Sequence, residues 1–297
     1  MTGGIYGSAP NRLFVPIDDG DIAIRRFGRA GAQPMLFAHA NGFCASAYRQ
    51  MFEALGDRFD VFAVDLRGHG RSRLPATVEG HRSTKIFGDD LRQARTALAP
   101  LIDRRDWVMA GHSLGGVAAA GAAAVDSEIA AVRLIEPVAI PESWRYLAST
   151  PFWSLIAPRI PLVRAASRRR SRWPDRDTVM SSYTPKPLFS TWSKGVLADY
   201  LDDGLVIEPG GVRLACEPAW EAANFAAQAN DLSRSIARVR APVSVLAARH
   251  KTTTFGEAAE WRFKRMGAVV ERVSGATHLI PFEFPELAAR FLRGPAG

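Results

Sequence analysis

The feature that most constrains this 297-residue chain is the run Gly111-His112-Ser113-Leu114-Gly115. It follows the apolar stretch Trp107–Ala110 and opens an Ala- and Gly-rich segment that runs through Ala124. A G-x-S-x-G run between a strand and a helix forces the serine onto a tight turn with a strained backbone. Residues two before and two after that serine must then be small, and Gly111 and Gly115 meet the demand. The turn also sets Ser113 at a helix N-terminus, where free N–H groups and the helix dipole favour developing negative charge. A fold in which strands feed directly into helices is therefore the starting expectation.

The rest of the first half agrees. Residues 35–38, 60–65, 107–110 and 131–136 read as buried strands, and 44–56, 86–99 and the segment through 124 read as helices between them. Strands separated by helices of this length imply βαβ units and a parallel sheet. Residues 12–28 read as an antiparallel hairpin at the sheet edge, turning at Asp18-Asp19-Gly20. From Pro141 to about Asn230 the rhythm breaks into Trp- and Pro-rich, basic, irregularly helical text. It resumes with a strand at 243–248, a helix at 255–266, a strand at 269–273 and a last helix at 285–293. The domain reading is a core of residues 1–140 and 231–297 with a helical insertion, residues 141–230, between its halves.

Composition narrows the classes. With 47% hydrophobic and 23% charged residues the chain has the make-up of a folded globular protein. No window holds 18 uninterrupted apolar residues, so no membrane span is expected. Met1–Pro16 has no basic patch leading into an apolar run and does not read as an export signal. Cys44 and Cys216 lie far apart and form no CxxC pair, so free thiols in a reducing cytoplasm are expected. The net charge is +8, yet no basic motif interleaved with aromatics and no zinc spacing occurs. A solvated surface explains that charge better than nucleic acid does, with attraction of anionic substrates second. The cluster Arg168-Arg169-Arg170 and Arg172 is expected to face solvent, with selection of a carboxylated substrate as the alternative. Neither a metal nor a cofactor is expected, and the composition leaves a homodimer open.

Acyl-transfer chemistry needs more than the serine. Two N–H donors must face the developing oxyanion. One is expected from Leu114, just after the serine, and the other from Asn41 in the run His39-Ala40-Asn41-Gly42-Phe43 that ends the first buried strand. His39 itself reads as a buried, hydrogen-bonded structural residue. A histidine must also reach Ser113 as general base. His112 follows the pleat away from it and His81 lies in a loop, which leaves His250 and His278, both after late strands.

Together these motifs resemble the α/β-hydrolase superfamily, across residues 12–140 and 233–297. The stretch Asp65-Leu66-Arg67-Gly68-His69-Gly70-Arg71-Ser72 is similar to one common in that superfamily, and it reads as a structural loop. The resemblance implies that His278, in Gly275-Ala276-Thr277-His278 after the last core strand, is the base. It also implies a carboxylate to hold the imidazole. Most members carry an Asp after the strand matching 243–248, but here the loop reads Ala248-Arg249-His250-Lys251-Thr252-Thr253-Thr254. Glu136, at the end of strand 131–136, resembles the acid position of some haloalkane dehalogenases and lies at the sheet edge expected to carry Ser113.

The resemblance implies a serine esterase with a nucleophile elbow, an oxyanion hole and a cap formed by residues 141–230. Its partner would be a small ester- or lactone-like molecule, and Phe43, Trp144 and Trp153 are candidates for the pocket wall. Carbon–carbon bond hydrolysis and acyl transfer fit the same residues. A small-molecule receptor that keeps the triad is the alternative from another class. Serine in place of aspartate at the turn disfavours dehalogenase and epoxide-hydrolase chemistry.

Overall fold

The computed structural model describes residues 11–254 and 256–294. The opening stretch, Met1–Pro10, read above as lacking an export signal, lies outside them, as does Phe255 at the start of an expected helix. Eleven strands are present among the described residues: β1 Arg12–Ile17, β2 Gly20–Gly28, β3 Gln33–Ala38, β4 Phe59–Val64, β5 Trp107–His112, β6 Ile129–Ile135, β7 Arg172–Trp173, β8 Leu205–Glu208, β9 Gly211–Leu214, β10 Val243–Ala248 and β11 Val269–Val273. Eight of them make one sheet in the order β1-β2-β4-β3-β5-β6-β10-β11. The hairpin β1–β2 and the β2–β4 pair are antiparallel; from β4 through β11 the pairs are parallel.

The central strands β3, β4 and β5 are buried along almost their whole length because both faces of the sheet are covered there. Successive residues of a strand point to opposite faces. Leu36 and Ala38 accordingly pack with Phe87, Leu91 and Ala119, whereas Met35 and Phe37 pack with Met51, Phe52 and Leu292. The first set is covered by helices Lys85–Leu98 and Leu114–Ala123, the second by helices Arg49–Leu55 and Pro285–Arg293. Each of these leucine, methionine and phenylalanine side chains, fully buried, stabilises the fold by about 1.5–3 kcal/mol.

Two glycines make the strand-to-helix turn sterically feasible. A Cβ on Gly115 would lie 2.1 Å from the Ala38 carbonyl oxygen, and one on Gly111 would lie 2.3 Å from the Gly115 oxygen. The helix after Ser113 therefore starts in direct contact with the end of β3. This contact brings the loop after β3 beside the turn.

Between β6 and the helix Leu232–Arg238 the chain forms the helices Glu142–Ala148, Pro161–Ser167, Arg176–Tyr183, Val196–Gly204 and Pro218–Ala226, with shorter turns. It also forms a three-stranded antiparallel sheet, β7-β9-β8. The sequence led us to expect helices alone in this stretch. Strands of two to four residues carry no readable period, although Pro209-Gly210, which joins β8 to β9, is a turn signal that points to the hairpin.

Candidate active site

In a sheet ordered β3-β5-β6-β10, the loops leaving the four C-terminal ends are neighbours, and such an edge is where open α/β sheets bind ligands. Ser113 leaves β5 with φ 57° and ψ −117°, and its N–H donates to the Ile135 carbonyl at the end of β6 (3.0 Å). Glu136 leaves β6 with φ 47°. His278 lies in the loop after β11, with its N–H on the Lys251 carbonyl (3.1 Å). Lys251 has φ 48°, so three of the four non-glycine residues with positive φ among the described residues sit at this one place. Strain of this kind persists where surrounding structure over-determines it.

His278 Nε2 lies 3.0 Å from Ser113 Oγ, and His278 Nδ1 lies 3.0 Å from Glu136 Oε2. The tautomer follows from the surrounding bonds. Thr253 Oγ1 donates to the Glu136 main-chain carbonyl (3.0 Å), so toward His278 Nδ1, also 3.0 Å away, it can only accept. Nδ1 thus carries the proton, and Nε2 is left to accept from Ser113 Oγ–H. Glu136 is fully buried. It accepts from the N–H groups of Ala248 (2.5 Å) and Thr253 (3.0 Å) and from Thr252 Oγ1 (2.8 Å). The loop after β10, which lacks an acid, therefore supplies the donors that hold an acid placed one strand over. Thr252 and Thr253 were missed from sequence; the triple-threonine run where an aspartate was expected is the signal that points to them.

The loop after β3 is fixed on both sides. His39 is buried, accepts from the Leu66 N–H at Nε2 (2.9 Å) and donates from Nδ1 to the Ala40 carbonyl (2.7 Å). His69, also buried, donates from Nδ1 to the Arg67 carbonyl (2.9 Å) and accepts the Gly42 N–H at Nε2 (3.1 Å). Both bonds need neutral rings, and burial pushes both imidazoles down, His69 to about 4. The Ala40 N–H goes to Tyr48 Oη (2.9 Å) and the Phe43 N–H to the Ala40 carbonyl (3.1 Å). Among the described residues this leaves the Asn41 N–H without an acceptor, and likewise that of Leu114 at the first turn of its helix. The Asn41 side chain is tied instead to the helix Pro218–Ala226. It donates to the Glu221 carbonyl (3.0 Å) and accepts from Asn224 Nδ2 (3.0 Å).

Other sequence candidates fall in different places. Asp65 accepts from the Ala45 and Arg71 N–H groups, and Arg67 bridges Asp90 and Asp19, so the 65–72 stretch is a structural loop. Phe43 sits in an aromatic cluster with Trp192, Tyr200 and Phe282. Trp153 is buried, donates its ring N–H to the Ala226 carbonyl (2.8 Å) and stacks edge-on with Trp144. Among the described residues no hydrogen bond or ring contact joins either tryptophan to Ser113, Glu136 or His278. His250 is exposed. Arg168, Arg170 and Arg172 face solvent as expected, but Arg169 turns inward. It pairs with Glu221 (2.9 Å) and donates to the hydroxyls of Tyr183 and Tyr200. The attraction of a buried carboxylate outweighs solvation for that one member.

Ser113 is only 7% exposed. A surface cleft of about 380 Å³ lies elsewhere, lined by Arg29, Gln33, Asp57, Arg58, Arg104 and Asp106 near the N-terminal end of β3. Among the described residues no group of three or more His, Cys, Asp or Glu is arranged to hold a metal ion, and no helix is long and apolar enough to cross a membrane.

An open α/β sheet with a strained serine turn at its carboxyl edge defines a hydrolase class, and comparison with known proteins agrees. The profile of the alpha/beta hydrolase family matches residues 35–291, and the chain belongs to that family. The 2-(acetamidomethylene)succinate hydrolase of Mesorhizobium japonicum is 32% identical over 99 residues, a stretch that spans only 33% of this chain and 33% of that one. A crystal structure of E-2-(acetamidomethylene)succinate hydrolase superposes with TM-score 0.75 at 23% identity, covering 95% of this chain and 97% of that one. The thioesterase domain from the curacin biosynthetic pathway gives TM-score 0.71 at 18% identity, covering 96% and 100%. At those identities the two solved structures speak to the fold.

Proposed function

We propose that this chain is a serine hydrolase that cleaves a small carboxylic ester or lactone through an acyl-enzyme. The observation that carries the reading is the single imidazole of His278, bonded to Ser113 Oγ on one side and Glu136 on the other. Ser113 Oγ attacks the substrate carbonyl carbon while its proton passes to His278 Nε2. The carbonyl oxygen, now an oxyanion, accepts from the Asn41 and Leu114 N–H groups, the two donors left without a protein acceptor. The C–O bond breaks as His278 returns its proton to the leaving alkoxide. Water then gives a proton to His278, attacks the acyl carbon, and releases the acid with Ser113 restored. Glu136 stabilises the imidazolium in both halves without itself being protonated.

In this reading residues 141–230 are the cap, and the low exposure of Ser113 reflects their cover. Phe43, two residues from Asn41, forms part of the pocket wall, whereas Trp144 and Trp153 pack the cap on itself. A second reading, hydrolysis of an N-acyl group, is favoured by one observation. A hydrolase whose name carries an acetamido group on a succinate skeleton turns up among both the curated relatives and the solved structures. The triad chemistry is the same, with an amine leaving in place of an alcohol.

The test is labelling by a fluorophosphonate probe with peptide mapping, on wild type and Ser113→Ala. One adduct, on Ser113, and none in the variant is the expected result. A folded wild-type protein that takes no label at Ser113 overturns the assignment. Ester, lactone and N-acetyl substrates offered to the labelled-competent enzyme then separate the two readings.

A further inference from the structure

We infer that Tyr48 and His112 are positioning residues that lock the oxyanion loop to the general base through one directional chain of hydrogen bonds. The inference rests on the reading of Ser113, His278 and Asn41 just given. No hydrogen bond joins either side chain to Ser113 Oγ, to Glu136 or to the His278 ring, although the His112 and His278 rings pack 4.9 Å apart; the sequence set His112 aside as a base and did not single out Tyr48.

The chain has three links joining four residues. The Ala40 N–H lies 2.9 Å from Tyr48 Oη, Tyr48 Oη lies 2.7 Å from His112 Nδ1, and His112 Nε2 lies 2.8 Å from the His278 carbonyl oxygen. Its direction is fixed at both ends by elementary chemistry. A backbone N–H only donates, so Tyr48 Oη accepts from Ala40 and turns its own hydrogen to His112 Nδ1. A backbone carbonyl only accepts, so the one proton of a neutral His112 stands on Nε2 and is donated to His278. All three side chains in or beside the chain are held: Tyr48 and His112 are fully buried, and the ring of Phe282 packs against both. Burial raises the Tyr48 hydroxyl well above its ordinary value and lowers the His112 imidazole well below its own. Both groups thus stay neutral, as the pattern of donors demands.

The consequence is geometric. Ala40 precedes Asn41, whose N–H is one arm of the proposed oxyanion hole, and the carbonyl held at the far end belongs to the base itself. Buried polar bonds of this kind polarise one another and penalise any member that moves. Displacing the loop therefore strains the imidazole anchor, and the reverse. An N–H donor to the oxyanion and a proton acceptor for the serine must be correct together for attack to occur, so the chain acts on the reaction and not on ground-state binding.

The experiment compares wild type, Tyr48→Phe, His112→Gln and the double variant. Active sites are counted by fluorophosphonate labelling at saturation, and the second-order rate of labelling is measured per countable site. Tyr48→Phe removes one oxygen and keeps the ring; His112→Gln keeps a donor and an acceptor and serves if the first variant does not fold. Each single variant is expected to slow labelling per site about tenfold, the loss of one net hydrogen bond's worth of positioning. The double variant is expected to lose no more than the worse single, because a chain is broken once. A merely structural role would lower the count of reactive sites and the thermal midpoint while leaving the rate per site unchanged, and that result overturns the inference. So do additive losses of about a hundredfold in the double variant, which mean two independent effects. Wild-type protein that takes no label at Ser113 brings down the reading of the site itself; normal wild-type labelling with unaffected variants brings down the chain alone.

Discussion

At the scale of single residues the acid is the most informative position. Glu136 is buried, and it is held by donors on the neighbouring loop as much as by His278. Glu136→Gln replaces one acceptor oxygen with a donor that faces either N–H groups or the Nδ1 proton, and so favours the wrong imidazole tautomer. Turnover is expected to fall by about 10⁴-fold, the order seen when a triad carboxylate becomes an amide. Thr253→Val keeps the shape but deletes both the acceptor for His278 Nδ1 and the donor to the Glu136 carbonyl. A loss of about tenfold is expected for it, with KM nearly unchanged. Steady-state kinetics on a chromogenic ester check both; equal, small effects would remove Glu136 from the reaction. Ser113 and its two glycines were legible in the sequence because the turn permits so few residue types. The choice of Glu136 came from a resemblance and from what was missing after β10, and its positive φ left no mark on the sequence at all.

At the scale of elements, the helix Pro218–Ala226 carries three of the contacts that define the loop after β3. Glu221 and Asn224 hold Asn41, and the Glu221 carboxylate lies where a Cβ on Gly42 would meet it, 2.7 Å away. Arg169 closes this arrangement from the segment before β7, and Tyr200 Oη donates to the Gly42 carbonyl (3.2 Å). Removing one member of a largely buried ion pair strands the other charge. Arg169→Met or Glu221→Gln alone is therefore expected to destabilise the protein by about 3 kcal/mol and to slow labelling of Ser113. The two together are expected to recover much of that stability, because no unpaired charge remains. Urea unfolding of the four proteins checks this, and additive losses would show that the pair is not the source of the effect. The inward turn of Arg169 was illegible for a physical reason: four arginines in one short stretch read alike, and only the chain's return at Glu221 distinguishes one of them. The core strands were legible because each is long enough to show its apolar run, and the strand at 243–248, the strand at 269–273 and the helix at 285–293 fall where expected. The sheet β7-β9-β8 is too short for that.

At the scale of the whole molecule, the polar framework of the site makes the fold sensitive to acid. His39, His69 and His112 are buried as neutral rings, each with a bond that needs a bare nitrogen. Burial holds His69 down to about 4; burial likewise lowers His39 and His112 well below their usual value, and the repulsion each would meet from a protonated His69 or His278 acts in the same direction. In the unfolded chain these groups titrate near 6.5. As pH falls below that value the unfolded chain takes up protons that the folded chain refuses, so stability drops. One buried carboxylate opposes this: Asp65 is pushed up to about 6 by burial and by the Asp203 charge, so below pH 6 the folded chain binds a proton there that the unfolded chain does not. The imidazoles outnumber this carboxylate, and His81, also lowered by burial, stands on their side, so stability falls as pH drops from 6 to 5. Closer to pH 4 Asp90 and Asp199, both raised by burial, add to the opposing side and flatten the decline. Urea midpoints measured at pH 7, 6, 5 and 4.5 should therefore fall steeply from 6 to 5 and less steeply below. A profile flat from pH 7 to 5 would mean that the three imidazoles accept protons in the folded state, and then neither the His69 bond to Gly42 nor the chain through His112 could have the direction that places Asn41 and His278.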